Sequence, residues 1–380
     1  MSERKVATLF EHLSRIEDPR VGRTKWHKLI DILVIAVCAT ICGAESFPDI
    51  EEFGKDREAW LRTFLELPNG IPSHDTFRRV FMLIKVEEFQ RAFMRWVESV
   101  SELTQKEVVG IDGKQLRGSR KKKQKQNEGL RLVSAWAVKN RLVLGQHQTN
   151  EKSNEITAIP ELLRLLSLKG CIVTIDAMGC QREIVKQIIE QQADYVISLK
   201  GNQGNLHQAV EEYFGWAEKT KFREIEVDYC ETVEKGHGRI EVRRCWVTED
   251  IEWLEEKANW AGLKSIIMVE AEREVIGKET SCERRFFISS LCAAAKESLR
   301  AVRSHWQIEN SLHWVLDMAF REDACQIKSE NGAANMAVLR HVALNLLNQE
   351  KSYKRGIKAK QFKSALNQDY LLKVLQIKMR

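Results

Sequence analysis

The sequence predicts a mixed α/β fold: a sheet flanked by helices, preceded by a helical region and interrupted by a β-rich insertion. Three observations carry this prediction. Residues 1–100 place apolar side chains at helical spacing. From about residue 106, short apolar runs alternate with helical stretches, the pattern of sheets covered by helices. Residues 222–290 break that alternation with strand-like runs in succession. At 380 residues the chain exceeds one ordinary domain, taken as roughly 100–200 residues. The expected boundaries are 1–104 for a helical domain, 105–350 for the α/β domain with its insertion at about 220–290, and 351–380 for a basic C-terminal tail.

In the first region, the apolar run from Ile32 to Ala44 reads as a buried helix between Asp31 and Glu45. It falls short of the roughly 20 residues that span a bilayer, so no membrane role is expected. Phe47 to Phe64 keeps helical spacing until the turn Leu67 to Gly70 stops it. Ser73 then sits where an N-cap belongs, with Asp75 in the first turn. That helix carries Phe77, Val80 and Phe81 on one side and Arg78 and Arg79 on another, and a further helix runs from about Val86 to Glu102. Such a unit suits either DNA binding of the helix-turn-helix type or plain packing.

In the α/β region, Glu107 to Asp112 is an apolar strand ending in an acid. Leu132 to Val138 and Arg141 to His147 form a hairpin across Lys139 and Asn140. Ser153 to Leu168 is helical, Cys171 to Asp176 is a second strand ending in an acid, Cys180 to Gln192 is a helix, and Tyr195 to Leu199 is a third buried strand. The insertion supplies strands at Glu224 to Asp228, Arg239 to Thr248, Ser265 to Glu270 and Arg285 to Ser290, with a turn at Gly236 to Gly238. Helices close the region from about Ala293 to Met318 and from Asn331 to Asn348.

Lys and Arg number 60 against 54 Asp and Glu, so distribution matters more than the total. Lys114 to Lys125 carries no acid, and beyond Lys351 the only acid is Asp369. Such blocks attract polyanions, although a solvated loop and tail would look the same. Nine cysteines without a Cys-x-x-Cys pair fit neither a disulfide framework nor a zinc ribbon. With a charged N-terminus lacking a signal core, they point to the cytoplasm.

Asp112 and Asp176 each leave a core strand, with Gly113 and Gly179 close behind. Two such carboxylates make a hard oxygen site for Mg²⁺ or Mn²⁺. Two-ion phosphoryl transfer needs a third acid. The candidates are Glu309, Asp317, Glu322 and Asp323. Glu309 is favoured because it lies mid-helix beside Trp306, Leu312 and Leu316, where an unpaired acid is costly; the others lie near the helix end, where water solvates them. Two alternatives stay open. Strand-end Asp residues often only cap the next turn. His305, Glu309 and His313, at i, i+4 and i+8, could form a zinc stripe.

The runs Val108 to Ser119, Lys152 to Leu163, Val173 to Gln181, Asp194 to Gln203 and His305 to Asp323 resemble H-repeat-associated insertion-sequence transposases. These are bacterial DDE-type enzymes with an RNase H-like catalytic core. Asp18 to Arg20 and Pro72 to Phe81 resemble the helical domain associated with them. The resemblance implies Asp112 and Asp176 as the two Asp and Glu309 as the Glu, holding two Mg²⁺ (or Mn²⁺) ions. It implies strand cleavage at insertion-sequence ends, transfer into target DNA, and a homodimer that pairs two ends. It also accounts for the β-rich insertion. The expected DNA contacts are Lys114, Arg117, Arg120, Lys121, Lys122 and Lys123 after the first strand, Lys200 after the third, and Arg78 and Arg79 in the helical domain. The sequence departs from the wider insertion-sequence pattern around that Glu: Val302, His305 and Leu316 stand where Tyr, Arg and Lys are usual, with Arg303 and Arg321 as stand-ins. An inactive DNA-binding copy and a host nuclease on the same fold are the other readings.

Overall fold

The computed structural model describes residues 9–119, 129–149, 155–236, 238–275 and 279–376. The strands are β1 (Val108–Gln115), β2 (Arg131–Ala137), β3 (Leu142–Gln148), β4 (Ile172–Ile175), β5 (Asp194–Leu199), β6 (Asp228–Gly236), β7 (Arg239–Thr248), β8 (Ser265–Val275) and β9 (Ser281–Ser289). They form one sheet in the order β3-β2-β1-β4-β5-β9-β8-β7-β6. The meander β1-β2-β3 is antiparallel, β1, β4 and β5 are parallel, and β9 returns antiparallel beside β5. The first five strands have the RNase H-like arrangement. The insertion is continuous with them: its last strand pairs Leu199 with Phe286, so β6–β9 extend the same sheet.

Composition explains the central strands. β4 is Ile-Val-Thr-Ile, buried on both faces, as parallel strands covered by helices require. The hairpin β2–β3 closes with Arg141 at φ 54°, one residue later than sequence spacing suggests.

Four strands differ from expectation. β1 does not end at Asp112 but runs three residues beyond it. Glu224 to Asp228 is not a strand; Lys221 and Phe222 adopt left-handed φ after the preceding helix, and pairing begins only where Asp228 meets Val247. β8 and β9 extend beyond their apolar parts because charge carries the pairing there. Arg244 on β7 binds Glu231 on β6 and Glu270 and Glu272 on β8. Alternation of apolar residues does not register such a ladder.

The helices Leu29–Ile41 and Glu330–Gln349 are buried along almost their whole length. A single hydrophobic core joins Leu33 and Phe81 of the helical region to Trp136 and Leu162 of the α/β region and to Leu347. Buried amides of Glu330–Gln349 complete the connection. Asn345 exchanges two hydrogen bonds with the Val143 backbone, at 2.8 and 2.9 Å, and so finishes the edge of β3. Asn335 donates to the Phe81 and Ile84 carbonyls. Ser73 caps the helix His74–Leu83, while the expected helix from Phe47 to Phe64 breaks at Arg57 into Phe47–Asp56 and Glu58–Leu61. The basic segment beyond Lys351 is not a solvated tail. It forms the helices Ile357–Leu366 and Gln368–Val374, and the second buries Tyr370, Leu371 and Val374. Among the described residues no helix is long and apolar enough to cross a membrane.

Candidate active site

Side chains alternate across a strand, so Gly110, Asp112 and Lys114 of β1 share one face. The parallel register sets Ile111 opposite Ile175, which makes Asp112 and Asp176 the next residues on adjacent strands. Asp176 follows directly after β4. Its Oδ1 accepts from the backbone N–H of Met178 at 3.0 Å and of Gly179 at 3.3 Å, which fixes the carboxylate over a single 3₁₀ turn. Asp112 accepts from its neighbour Gly113 at 2.9 Å.

The covering helix starts as Ala295–Gln307, widens into a π-helical stretch at Ile308–His313, and continues as Trp314–Phe320. It packs over β1 at Gly110, where a Cβ would meet Ile308 at 3.5 Å, an ordinary packing distance. π-Turns are uncommon and concentrate at functional sites. This one delivers Glu309 and His313 together to Asp112. His313 Nδ1 lies 3.1 Å from Glu309 Oε2 and 3.5 Å from Asp112 Oδ2. One ligand atom from each of the three residues falls within 4.8 Å of the others.

The electrostatics suit a cation. Burial pushes the Asp112 carboxyl up; His313, His305 and the Gly113 N–H pull against this, and Asp176 adds to it. Glu155 is likewise pushed up, by burial first and then by Asp112 and Asp176. Its carboxylate lies over Gly113, where a Cβ would collide with it. Carboxylates gathered at strand ends, partly desolvated and raising one another, fit a divalent ion held by oxygen and imidazole.

The structure corrects four expectations. Glu309 is not embedded among apolar groups: its side chain is 60% exposed, and Trp306 and Trp314 also face outward. Conversely Glu322, expected at a solvated helix end, is 2% exposed. The reason is Lys114. Because β1 continues past Asp112, Lys114 points inward beneath the helix instead of towards DNA. Its ammonium donates to Asp317 at 2.5 Å and Glu322 at 3.0 Å, and lies 3.4 Å from the His313 carbonyl. The zinc stripe does not form, since His305 Nδ1 pairs with Thr174 Oγ1 at 3.2 Å, away from Glu309.

Of the other expected DNA contacts, Arg117 is exposed and near Asp323, Lys200 and Arg79 are exposed, and Arg78 is exposed but bound to Asp75. Arg120, Lys121, Lys122 and Lys123 lie outside the described residues. The stand-in Arg303 is held by Glu234 of the insertion, and Arg321 is exposed in a left-handed conformation.

Sequence reasoning missed Glu155, although it lies in one of the quoted runs, and also a groove beside the site. That groove, of about 1080 Å³, runs between the helix Ala295–Gln307 and the insertion strands and reaches Asn310, next to Glu309. Arg239, Arg243, Arg285, Arg300 and Arg303 line it. Arg285 stacks over the Trp306 ring at 4.8 Å. The alternation of Arg239 and Arg243 along β7 was its only sequence signal.

Comparison with known proteins agrees with this architecture. Residues 10–97 match the family described as DDE_Tnp_1-associated, and residues 103–346 match the Transposase DDE domain family. The chain is 40% identical to the "H repeat-associated putative transposase YhhI" of Escherichia coli K12, over 97% of both chains. It is 42% identical to the "Putative transposase YncI" of Escherichia coli O157:H7, over 97% of this chain and 95% of that one. A piggyBac transposase synaptic complex with hairpin DNA overlays at TM-score 0.46 and 10% identity, covering 97% of this chain and 80% of its own, a likeness too remote to add to the assignment. The chain belongs to the DDE transposase family, in its H-repeat-associated group.

Proposed function

We propose that the protein cleaves DNA strands at the ends of an insertion sequence and transfers them into target DNA, using Asp112, Asp176 and Glu309 to hold two Mg²⁺ or Mn²⁺ ions. The observation that carries this reading is the meeting of Asp112 and Glu309 over the ends of parallel strands, with Asp176 next to Asp112 in register. Bound divalent ions supply Lewis acidity, activating the attacking oxygen and neutralising charge on the phosphorus. The chain's own part is placement. The core strand fixes Asp112, the turn at 177–179 fixes Asp176, and the helix fixes Glu309. Arg285 and Arg300 in the adjoining groove, paired with Glu283 and Glu297 in the DNA-free chain, would exchange those partners for phosphate without reading sequence. Double-stranded DNA, as element ends and as target, is the partner, and a homodimer brings two ends together.

The test is incubation with duplex DNA taken from either side of this reading frame, in Mg²⁺, Mn²⁺ or EDTA, with products resolved by size. Strand cuts and joined products that need the divalent ion are expected. Binding without cutting would show an inactive copy, and cutting without joining would show a nuclease; either would refute the proposal.

A further inference from the structure

We propose that His313 is itself a metal ligand, binding through Nδ1 the ion held by Asp112 and Glu309, so that this centre is a mixed carboxylate–imidazole site. The inference rests on the functional reading above but concerns a residue outside its three acids.

Geometry carries it. His313 is buried, its side chain 5% exposed, and its Nδ1 lies against both carboxylates, 3.1 Å from Glu309 and 3.5 Å from Asp112. Those spacings suit donors turned towards one ion. The opposite nitrogen, Nε2, is buried with no hydrogen-bond partner among the described residues. The ring's polar contacts therefore lie on the carboxylate side, at Nδ1, with Asp112 and Glu309. The backbone is held as well: the Lys114 ammonium sits 3.4 Å from the His313 carbonyl, inside the π-turn that aims the ring. His305 makes the contrast. It belongs to the same covering helix and is close enough to act on Asp112, yet its Nδ1 is spent on Thr174.

An imidazole donor changes which ions the centre prefers. Carboxylate and water oxygens suit Mg²⁺, whereas a nitrogen ligand shifts preference towards Mn²⁺ and later transition ions. Loss of a mere outer-shell partner costs roughly 10–100-fold in metal affinity, so loss of a direct ligand costs at least about tenfold.

The experiment uses the full-length, metal-free protein and Mn²⁺ alone. Binding is followed by the electron paramagnetic resonance of free Mn²⁺, and nitrogen hyperfine coupling is then recorded on the bound ion. Wild type and His305→Gln are expected to show imidazole coupling. His313→Gln is expected to lose it and to bind Mn²⁺ at least about tenfold more weakly, with a smaller change for Mg²⁺. Coupling that survives in His313→Gln would overturn the inference. If that variant fails to fold, the wild type still decides: bound Mn²⁺ without nitrogen coupling overturns the histidine ligand and leaves the three-acid reading standing. A wild type that binds no Mn²⁺ overturns both.

Discussion

Replacing Asp112 with asparagine is expected to lower DNA cleavage by roughly 10³-fold, the scale of removing a group that organises charge at the reacting centre. DNA binding, measured by fluorescence anisotropy, should not weaken, because the groove arginines proposed to meet phosphate lie away from Asp112 on the insertion and the covering helix. Stability should not fall either. Burial already penalises the charged carboxyl of Asp112, and asparagine has nearly the same shape without the charge. Loss of activity in a protein that melts at or above the wild-type temperature therefore separates a functional acid from a structural one. A cleavage rate within about tenfold of wild type would remove Asp112 from the site.

Replacing Lys114 with methionine should act mainly on stability. The lysine is 12% exposed at its side chain and touches Asp317 and the buried Glu322, which has Arg340 at 3.8 Å as its other cation. Burial works to raise the Glu322 carboxyl, but Lys114 and then Arg340 and His341 outweigh it and hold it below the ordinary range. Removing one member of a buried pair strands the other, at a cost of about 3–5 kcal/mol. Urea unfolding measures this. In a double-mutant cycle with Glu322→Gln the two losses should not add, since both act on one buried pair, while Glu322→Gln alone is costly because it also takes the partner from the buried Arg340. A stable Lys114→Met that binds DNA more weakly would instead place this lysine at the DNA surface.

Much of this was legible in the sequence because apolar periodicity and acid placement coincide. EVVGID and CIVTID read as buried strands carrying Asp112 and Asp176, and the structure sets those two at matching register on neighbouring strands. What was not legible depends on contacts between distant segments. Nothing local to Lys114 shows that β1 continues, or that Asp317 and Glu322, some two hundred residues on, close over it. The choice of Glu309 on grounds of burial used the wrong cause: Glu309 is the exposed acid, and the buried one, Glu322, is taken by lysine. The π-turn was also invisible, because helical periodicity passes through Ile308 to His313 without a break in composition. In the insertion, cross-strand ion pairs replace the apolar alternation that marks a strand, so β8 and β9 run past their expected bounds at the charged ends.

The most direct test of the metal-dependent site is the ion dependence of Asp112→Cys on the same DNA. A thiolate serves Mg²⁺ poorly but accepts softer ions such as Mn²⁺ better. The variant is expected to be inactive in Mg²⁺ and to regain cleavage in Mn²⁺, while wild type cleaves in both. Cleavage by Asp112→Cys at the wild-type rate in Mg²⁺, or in EDTA, would contradict a catalytic ion held by Asp112.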